Sequence, residues 1–315
     1  MSRFVAPDLS RLPAPDALEA LDFEALVAAR LAMLVDRATV RGFGYDVETL
    51  ESDPLVVDQQ TGAAHELMVR ARVNDAVRAV LLVTATGSQL DHIAATYYGI
   101  SRLVVTPAAG STPAVLEADA DFRARIALAV EAWSTAGPEG AYIFHALEAD
   151  GAVLDAAVYS EEDGAVHAGG APVLAPEVLV VVLSRVGNGT PSDALVAKVL
   201  SDLSGREVRP IGDKVSVEKA AITSYTIAAT LKVRAGADPA LLVAEARSRV
   251  EAYVAARRRV GAIVQRLGIG AALKVTDVEE IEIASPAADV DPGSKGAGFC
   301  AGITITAEAA ADSWR

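Results

Sequence analysis

The spacing of apolar residues changes at about Asp150, and this change constrains the fold of the 315-residue chain more than any other feature. Before Asp150, apolar residues recur at intervals of three and four, the spacing of amphipathic helices. After it, short runs rich in Val, Thr and Tyr alternate with two helical segments and predict strands. The sequence therefore predicts an α+β fold, in which a helical N-terminal region precedes two small α+β modules with mainly antiparallel strands. A parallel, doubly wound sheet is the alternative, but it requires more regular strand–helix alternation.

Proline, glycine and capping residues divide the chain further. Prolines at 7, 13 and 15 predict an extended start, because proline fixes its backbone angle and lacks an N–H donor. We expect Asp16 to cap the first helix and Pro54, after Ser52-Asp53, to open the second, which should run to near Gly87. The predicted segments are an extended arm (1–15), a helical N-terminal region (16–103), a linker (104–117), a helical connector (118–150) and two α+β modules (151–220 and 221–315).

Composition argues against several kinds of partner. Acidic residues outnumber basic residues by 42 to 28, and the resulting charge of −14 repels nucleic acid. Cys300 is the only cysteine, which excludes an intrachain disulfide, and the four histidines are far apart in sequence. We therefore expect no metal, no cofactor and no nucleic-acid partner. We also expect synthesis in the cytoplasm and no membrane association, because the sequence shows neither a signal peptide nor an apolar run of membrane-spanning length.

Two short motifs resemble catalytic or cofactor-binding signatures but are incomplete. His65 begins a pattern like that of zinc proteases, yet Val69 stands where the second histidine is required. Gly268 and Gly270 supply two of the three glycines of a dinucleotide-binding loop, without the strand that should precede it. We interpret this pair as a turn, and the sequence as that of a protein that is not an enzyme.

Apolar residues of the second predicted helix are candidates for contacts between subunits. They exceed what one short helical hairpin can bury, and exposed apolar patches usually mark interfaces. We expect them to pack against other chains; they are Leu67, Met68, Val73, Val77, Val80 and Leu81.

An arginine-rich stretch is the second candidate. Six arginines fall between Arg247 and Arg266, with Glu251 as the single acid among them. One interpretation is a solvated helix face, whose long side chains cover apolar surface. The other is a docking patch, in which at least two of Arg257, Arg258 and Arg259 contact carboxylates of another subunit.

Several blocks of residues follow one another along nearly the whole chain. They are SDPLVV (52–57), RVNDAVRAVLLVTATGSQLDHIA (72–94), STAGPEGAYIFHAL (134–147), VLSRVGNGTPS (182–192), VRPIGDKVSV (208–217), SPAADV (285–290) and CAGITIT (300–306). Together these blocks resemble the baseplate J family of contractile-tail phages. The resemblance implies a structural wedge subunit of the virion tail baseplate that associates in copies and has no catalytic residues. It also implies a helical N-terminal part that packs against other wedge proteins and C-terminal α+β regions that link neighbours around the tail tube.

Two other classes of function remain as alternatives. The first is an enzyme whose site is assembled by the fold and is invisible to motif searches; it requires a concave pocket with convergent titratable groups. The second is a monomeric adaptor with a single binding patch. The size of the purified chain, with and without its neighbours, distinguishes these alternatives from an assembling subunit.

Overall fold

The computed structural model of the chain describes residues 12–13, 15–42, 44–46, 50–134, 136–234 and 236–309. Residues 1–11 and 14 of the predicted arm lie outside this range. The chain divides into two compact units, of which the first ends at Ser101 and the second begins at Arg102.

The described part of the first unit is helical. Asp53 caps α2 by accepting a hydrogen bond from the Leu55 N–H at 2.9 Å, and Pro54 occupies the first turn as predicted. The helix ends earlier than predicted, because Thr84 donates its hydroxyl hydrogen to the Arg78 carbonyl and closes the helix there. The helices are α1 (Phe23–Val40), α2 (Pro54–Val80) and α3 (Gly87–Ile93), and α3 continues as a π-helix (Ala94–Tyr98).

The prediction that Asp16 caps the first helix is wrong. Asp22 is the cap, and its carboxylate accepts a hydrogen bond from the Ala25 N–H at 3.1 Å. The reason lies in α2, where the buried side chain of Asn74 binds both backbone groups of Glu19, at 3.1 Å to its N–H and 2.9 Å to its carbonyl. Because these groups are bonded to Asn74, they are not available to a helix that passes through Glu19.

The second unit is α+β. The segment 104–117, predicted as a linker, contains a short antiparallel pair of strands. The elements are β1 (Val104–Thr106), β2 (Val115–Leu116), α4 (Asp119–Leu128), α5 (Glu139–Ala149), β3 (Val153–Tyr159), β4 (Glu177–Ser184), α6 (Asp193–Leu203), β5 (Lys214–Lys219), β6 (Ala221–Val233), α7 (Pro239–Arg257), α8 (Arg266–Leu273), β7 (Val278–Ser285) and β8 (Gly296–Ala309).

The first three-stranded sheet has the order β3-β4-β5 and is buried on both faces at its centre. Successive side chains of a strand point to opposite faces, and β4 is apolar on both. Val180 and Val182 pack with residues of α5 and α6, whereas Leu179, Val181 and Leu183 share a core with Val260 and Ala297 of the second module. The continuous apolar run of β4 thus joins the two modules.

The second three-stranded sheet has the order β7-β6-β8 and is covered by α7 and α8. Alternate residues of β6, from Tyr225 to Val233, enter the core, and the residues between them are more exposed. The interpretation of Gly268 and Gly270 as a turn is wrong, because both lie in α8. A Cβ atom on Gly268 would come within 2.3 Å of the Tyr253 hydroxyl of α7, so the glycine permits close packing of these helices.

The predicted fold class is confirmed: helices precede two small α+β modules. Three of the five pairings between described strands are antiparallel. The other two, β4 with β5 and β6 with β8, are parallel, and each connects strands that are separated along the chain by at least one helix. A parallel pair needs such a crossover, because a tight turn reverses the chain.

Candidate assembly surfaces

The two long helices of the first unit bury little of their apolar surface. Among the described residues, α1 buries only Val27 and Ala38, and α2 buries only Val56, Ala63 and Asn74. Ion pairs cross the hairpin at its surface: Glu66 of α2 pairs with Arg30 of α1 at 3.4 Å, and Arg70 of α2 pairs with Glu19, just before α1, at 2.8 Å. The hairpin is therefore held by small side chains and polar contacts, and most of its large apolar residues remain outside its own core.

One side of α2 carries a row of exposed valines. Val69, Val73 and Val80 are 65%, 55% and 73% exposed. Their spacing of four and then seven residues brings them to one side of the helix, about one, two and three turns apart. We name these three residues the valine row. A row of this kind lacks the polar coating of an isolated surface helix and is typical of a helix that packs against another chain.

The predicted interface residues of α2 lie in two environments. Met68 and Val73 are exposed, whereas Leu67 and Val77 are half-buried. Val69 was missed, although its spacing from Val73 could have identified it. On α1, Met33 and Val40 are also exposed, seven residues apart. That Leu67, Met68, Val73 and Val77 contact other chains stays a prediction.

Arg258 is engaged within its own chain. Its Nη2 donates to the Gly187 carbonyl at 2.8 Å, and its guanidinium lies over the Phe299 ring, 5.4 Å from the centroid. Burial, and then the charge of Arg185, lowers the pKa of Arg258. This arginine thus connects the end of α7 to the loop after β4, a role that its sequence neighbours gave no means to predict.

Arg257 and Arg259, on either side of Arg258, differ in accessibility: Arg257 is half-buried, as Arg258 is, and Arg259 is exposed. Arg257 lies over the Tyr253 ring, 5.5 Å from its centroid, and Arg259 is exposed. Their contact with carboxylates of another subunit stays a prediction. Arg259 offers the freer guanidinium for it, because Arg257 already covers an aromatic ring.

The remaining arginines of the stretch bind groups of the same module. Arg247 donates to the Ile303 carbonyl at 3.1 Å, Arg249 pairs with Glu245 at 2.6 Å, and Arg266 donates to the Ile283 carbonyl at 2.9 Å. These three side chains therefore support the interpretation of this part of the stretch as a covered and solvated face.

A further exposed apolar residue, in the first α+β module, was not predicted from the sequence. Ile211 is 88% exposed at the tip of the loop before β5. Arg209 holds this loop by donating to the carbonyls of Ser204 and Asp213, and the Asp213 carboxylate accepts a hydrogen bond from the Tyr142 hydroxyl at 2.7 Å. The isoleucine is thus presented on a backbone that polar contacts fix in place.

Polar groups at the junction of the two α+β modules bond to one another. A cavity of about 360 Å³ lies there, lined in part by Tyr159, Asp163, Val260 and Lys295. The Tyr159 hydroxyl donates to the Ser294 carbonyl, and the Asp163 carboxylate accepts from Ser160. No group of three or more potential metal ligands occurs among the described residues. None of the described helices is long and apolar enough to cross a bilayer.

Comparison with known proteins identifies the family. Residues 51–109 match the Baseplate J-like N-terminal domain, and residues 134–219 match the Baseplate J-like central domain. The chain is 42% identical over 304 residues to baseplate protein J of Escherichia phage P2, an alignment that covers 93% of this chain and 95% of the phage P2 protein. Identity at this level over nearly the whole of both chains, together with the helical and α+β units described above, shows that the chain belongs to the baseplate J family of structural phage proteins and is not an enzyme.

Proposed function

We propose that this chain is a wedge subunit of a contractile-tail baseplate. In this role it associates with copies of itself and with other baseplate wedge proteins, and it links neighbouring wedges around the tail tube. It is made in the host cytoplasm and becomes part of the virion tail. Its net charge of −14 disfavours nucleic acid as a direct partner.

The valine row of α2 is the observation that carries this proposal. Burial of one valine side chain stabilises a contact by about 1.5 kcal/mol or more. Three valines on one side of one helix therefore supply an apolar seam for a neighbouring helix. The seam falls within the match to the Baseplate J-like N-terminal domain, so the similarity and the exposed surface concern the same segment.

The parts of the chain take different roles in the proposal. The helical region 16–103 packs against other wedge proteins through α2. The two α+β modules, 151–220 and 221–315, form the links between neighbours, with Arg257, Arg258 and Arg259 near their surface. Because β4 contributes to a core shared by both modules, the two are expected to move together as one connector.

Charge placed in the valine row tests the proposal. The variant V73E/V80E should remain folded, because both residues are exposed in the isolated chain. It should lose at least roughly 3 kcal/mol of association free energy, which corresponds to about a hundredfold weaker binding. Co-purification with the neighbouring baseplate proteins, followed by sedimentation velocity, measures this loss.

The matched control is T61E/Q89E, which adds the same charge at two exposed polar positions of the same unit. We expect it to assemble as the unmodified chain does. Normal assembly of V73E/V80E at physiological salt would exclude the valine row as an interface, and equal loss in both variants would show that only net charge matters.

A further inference from the structure

A hairpin in the first α+β module carries a histidine that contacts the sheet. Residues 165–173 turn back on themselves, with the Val173 N–H donating to the Ala165 carbonyl at 2.9 Å and the His167 N–H donating to the Ala171 carbonyl at 2.7 Å. These bonds close the hairpin, but they do not connect it to the strands. We name residues 165–173 the His167 hairpin.

Both ring nitrogens of His167 face carboxylate oxygens. Nδ1 lies 3.0 Å from Oε1 of Glu218 on β5, and Nε2 lies 3.1 Å from Oε2 of Glu177 on β4. An ionised carboxylate only accepts hydrogen bonds, so both ring nitrogens must carry hydrogen to make these contacts. A neutral imidazole has one N–H and would point a lone pair at one of the carboxylates. The geometry therefore fits the imidazolium.

The charged groups around His167 lie on β4, on β5 and in the segment just before β8. Glu218 also accepts from the Ala168 N–H, at 3.0 and 3.2 Å, and pairs with Lys295 at 3.2 Å. Lys295 precedes β8 in the second module and donates to the Val166 carbonyl. Glu177 lies beside Lys214, its partner in the parallel register of β4 and β5. Lys295 and Lys214 balance the charges of Glu218 and Glu177, and the imidazole ring of His167 lies between the two carboxylates.

We propose that His167 is a proton-operated lock. As the imidazolium it joins Glu177 to Glu218 and holds the His167 hairpin against the first sheet, next to Lys295 of the second module. Loss of the proton breaks one of the two carboxylate contacts and loosens the hairpin, which is then held by the bonds of Ala168 to Glu218 and of Lys295 to Val166. The lock thus makes a surface element at the junction of the two α+β modules sensitive to pH in the neutral range.

The direction of the pH dependence follows from the contacts. The Glu218 carboxylate, and after it that of Glu177, raises the pKa of His167 above its usual value. A raised pKa means that the protonated contacts contribute stability that is fully present below the unfolded-state pKa of about 6.5. This contribution is lost as the pH rises through the folded-state pKa. We therefore expect the hairpin to be held more tightly in mildly acidic solution and to be looser at higher pH.

Two measurements on the full chain test the lock. Proton NMR of the imidazole Cε1–H should give a pKa for His167 above about 6.5, and E177Q should lower it, because the substitution removes one adjacent negative charge. Hydrogen exchange should show the amide protection of Ala168 and Val173 falling as the pH passes through the His167 pKa. In H167Q, protection at these amides should be lower than in the unmodified chain already at acidic pH and show no such step.

The control is H65Q, which changes an exposed histidine of α2 and should leave the titration of His167 and the hairpin protection unchanged. The lock is refuted if His167 titrates at or below the usual value for histidine. It is equally refuted if H167Q retains the pH-dependent protection of the unmodified chain. Neither result depends on whether the chain acts as a wedge subunit.

Discussion

Replacement of Arg125 should destabilise the second unit strongly. Arg125 on α4 donates to Glu117 through Nε at 3.2 Å and through Nη2 at 2.6 Å, and its Nη1 pairs with Glu148 of α5. The side chains of Arg125 and Glu117 are only 2% and 3% exposed. The guanidinium groups of Arg102 and Arg125 both lie over the Phe122 ring, 4.9 Å and 5.0 Å from its centroid. The network thus ties the segment before α4 to α4 and α5.

The cost of R125M follows from the charge that it leaves behind. Methionine fills a similar volume but leaves the buried Glu117 carboxylate without the guanidinium, and breaking a buried ion pair in this way costs about 3–5 kcal/mol. Burial raises the pKa of Glu148, and the charge of Arg125 opposes this effect. Because R125M removes that charge, the Glu148 carboxylate also loses a stabilising partner. At about 2–4 °C per kcal/mol for a unit of this size, the transition should fall by roughly 6–20 °C.

Calorimetry and urea unfolding of the isolated chain measure this loss. The double variant R125M/E117M is the control, because replacing both members of a buried pair by apolar residues is often close to neutral. It should recover most of the stability that R125M loses. A loss below about 1 kcal/mol in R125M, the value of a solvated surface pair, would show that burial does not strengthen the Arg125–Glu117 pair.

Three further substitutions test individual contacts by urea unfolding. N74A removes both hydrogen bonds to the Glu19 backbone and should cost about 1–3 kcal/mol, with faster exchange of the Glu19 amide; unchanged exchange would contradict the anchoring role. G268A places a methyl group against Tyr253 and should cost about 1–3 kcal/mol, whereas G302A, which has open space around it, should not. Equal losses in the two variants would show that the close packing of α7 and α8 does not contribute to stability. R258A should cost about 1.5–3 kcal/mol because it removes the hydrogen bond to Gly187, whereas R259A at an exposed site should change the stability by no more than about 0.5 kcal/mol. A larger loss in R259A than in R258A would contradict the structural role of Arg258.

Local signals in the sequence predicted the elements well. The start of α2 at Asp53-Pro54 and the apolar run of β4 depend on residues close together in the sequence, so both elements could be predicted from it. Asp16 is as good a capping residue as Asp22, and the choice between them depends on Asn74, more than 50 residues away. The bounds of α1 could therefore not be derived from its own residues.

The candidate surfaces were only partly predictable for the same reason. The spacing on α2 identified Met68 and Val73 and could have identified Val69. The environment of Arg258 depends on Phe299 and Gly187, and that of His167 on Glu177 and Glu218. These partners lie 10 to 71 residues away along the chain, and the fold alone brings them together.

Native mass spectrometry of the purified chain, alone and mixed with the neighbouring baseplate proteins, tests directly whether the chain is an assembling wedge subunit. An assembling wedge subunit should form complexes of fixed stoichiometry with those proteins and with further copies of itself. The V73E/V80E variant should yield mainly the 32.5 kDa monomer under the same conditions. If the unmodified chain remains a monomer in every mixture, or binds a single partner without self-association, the proposal of a wedge subunit is contradicted.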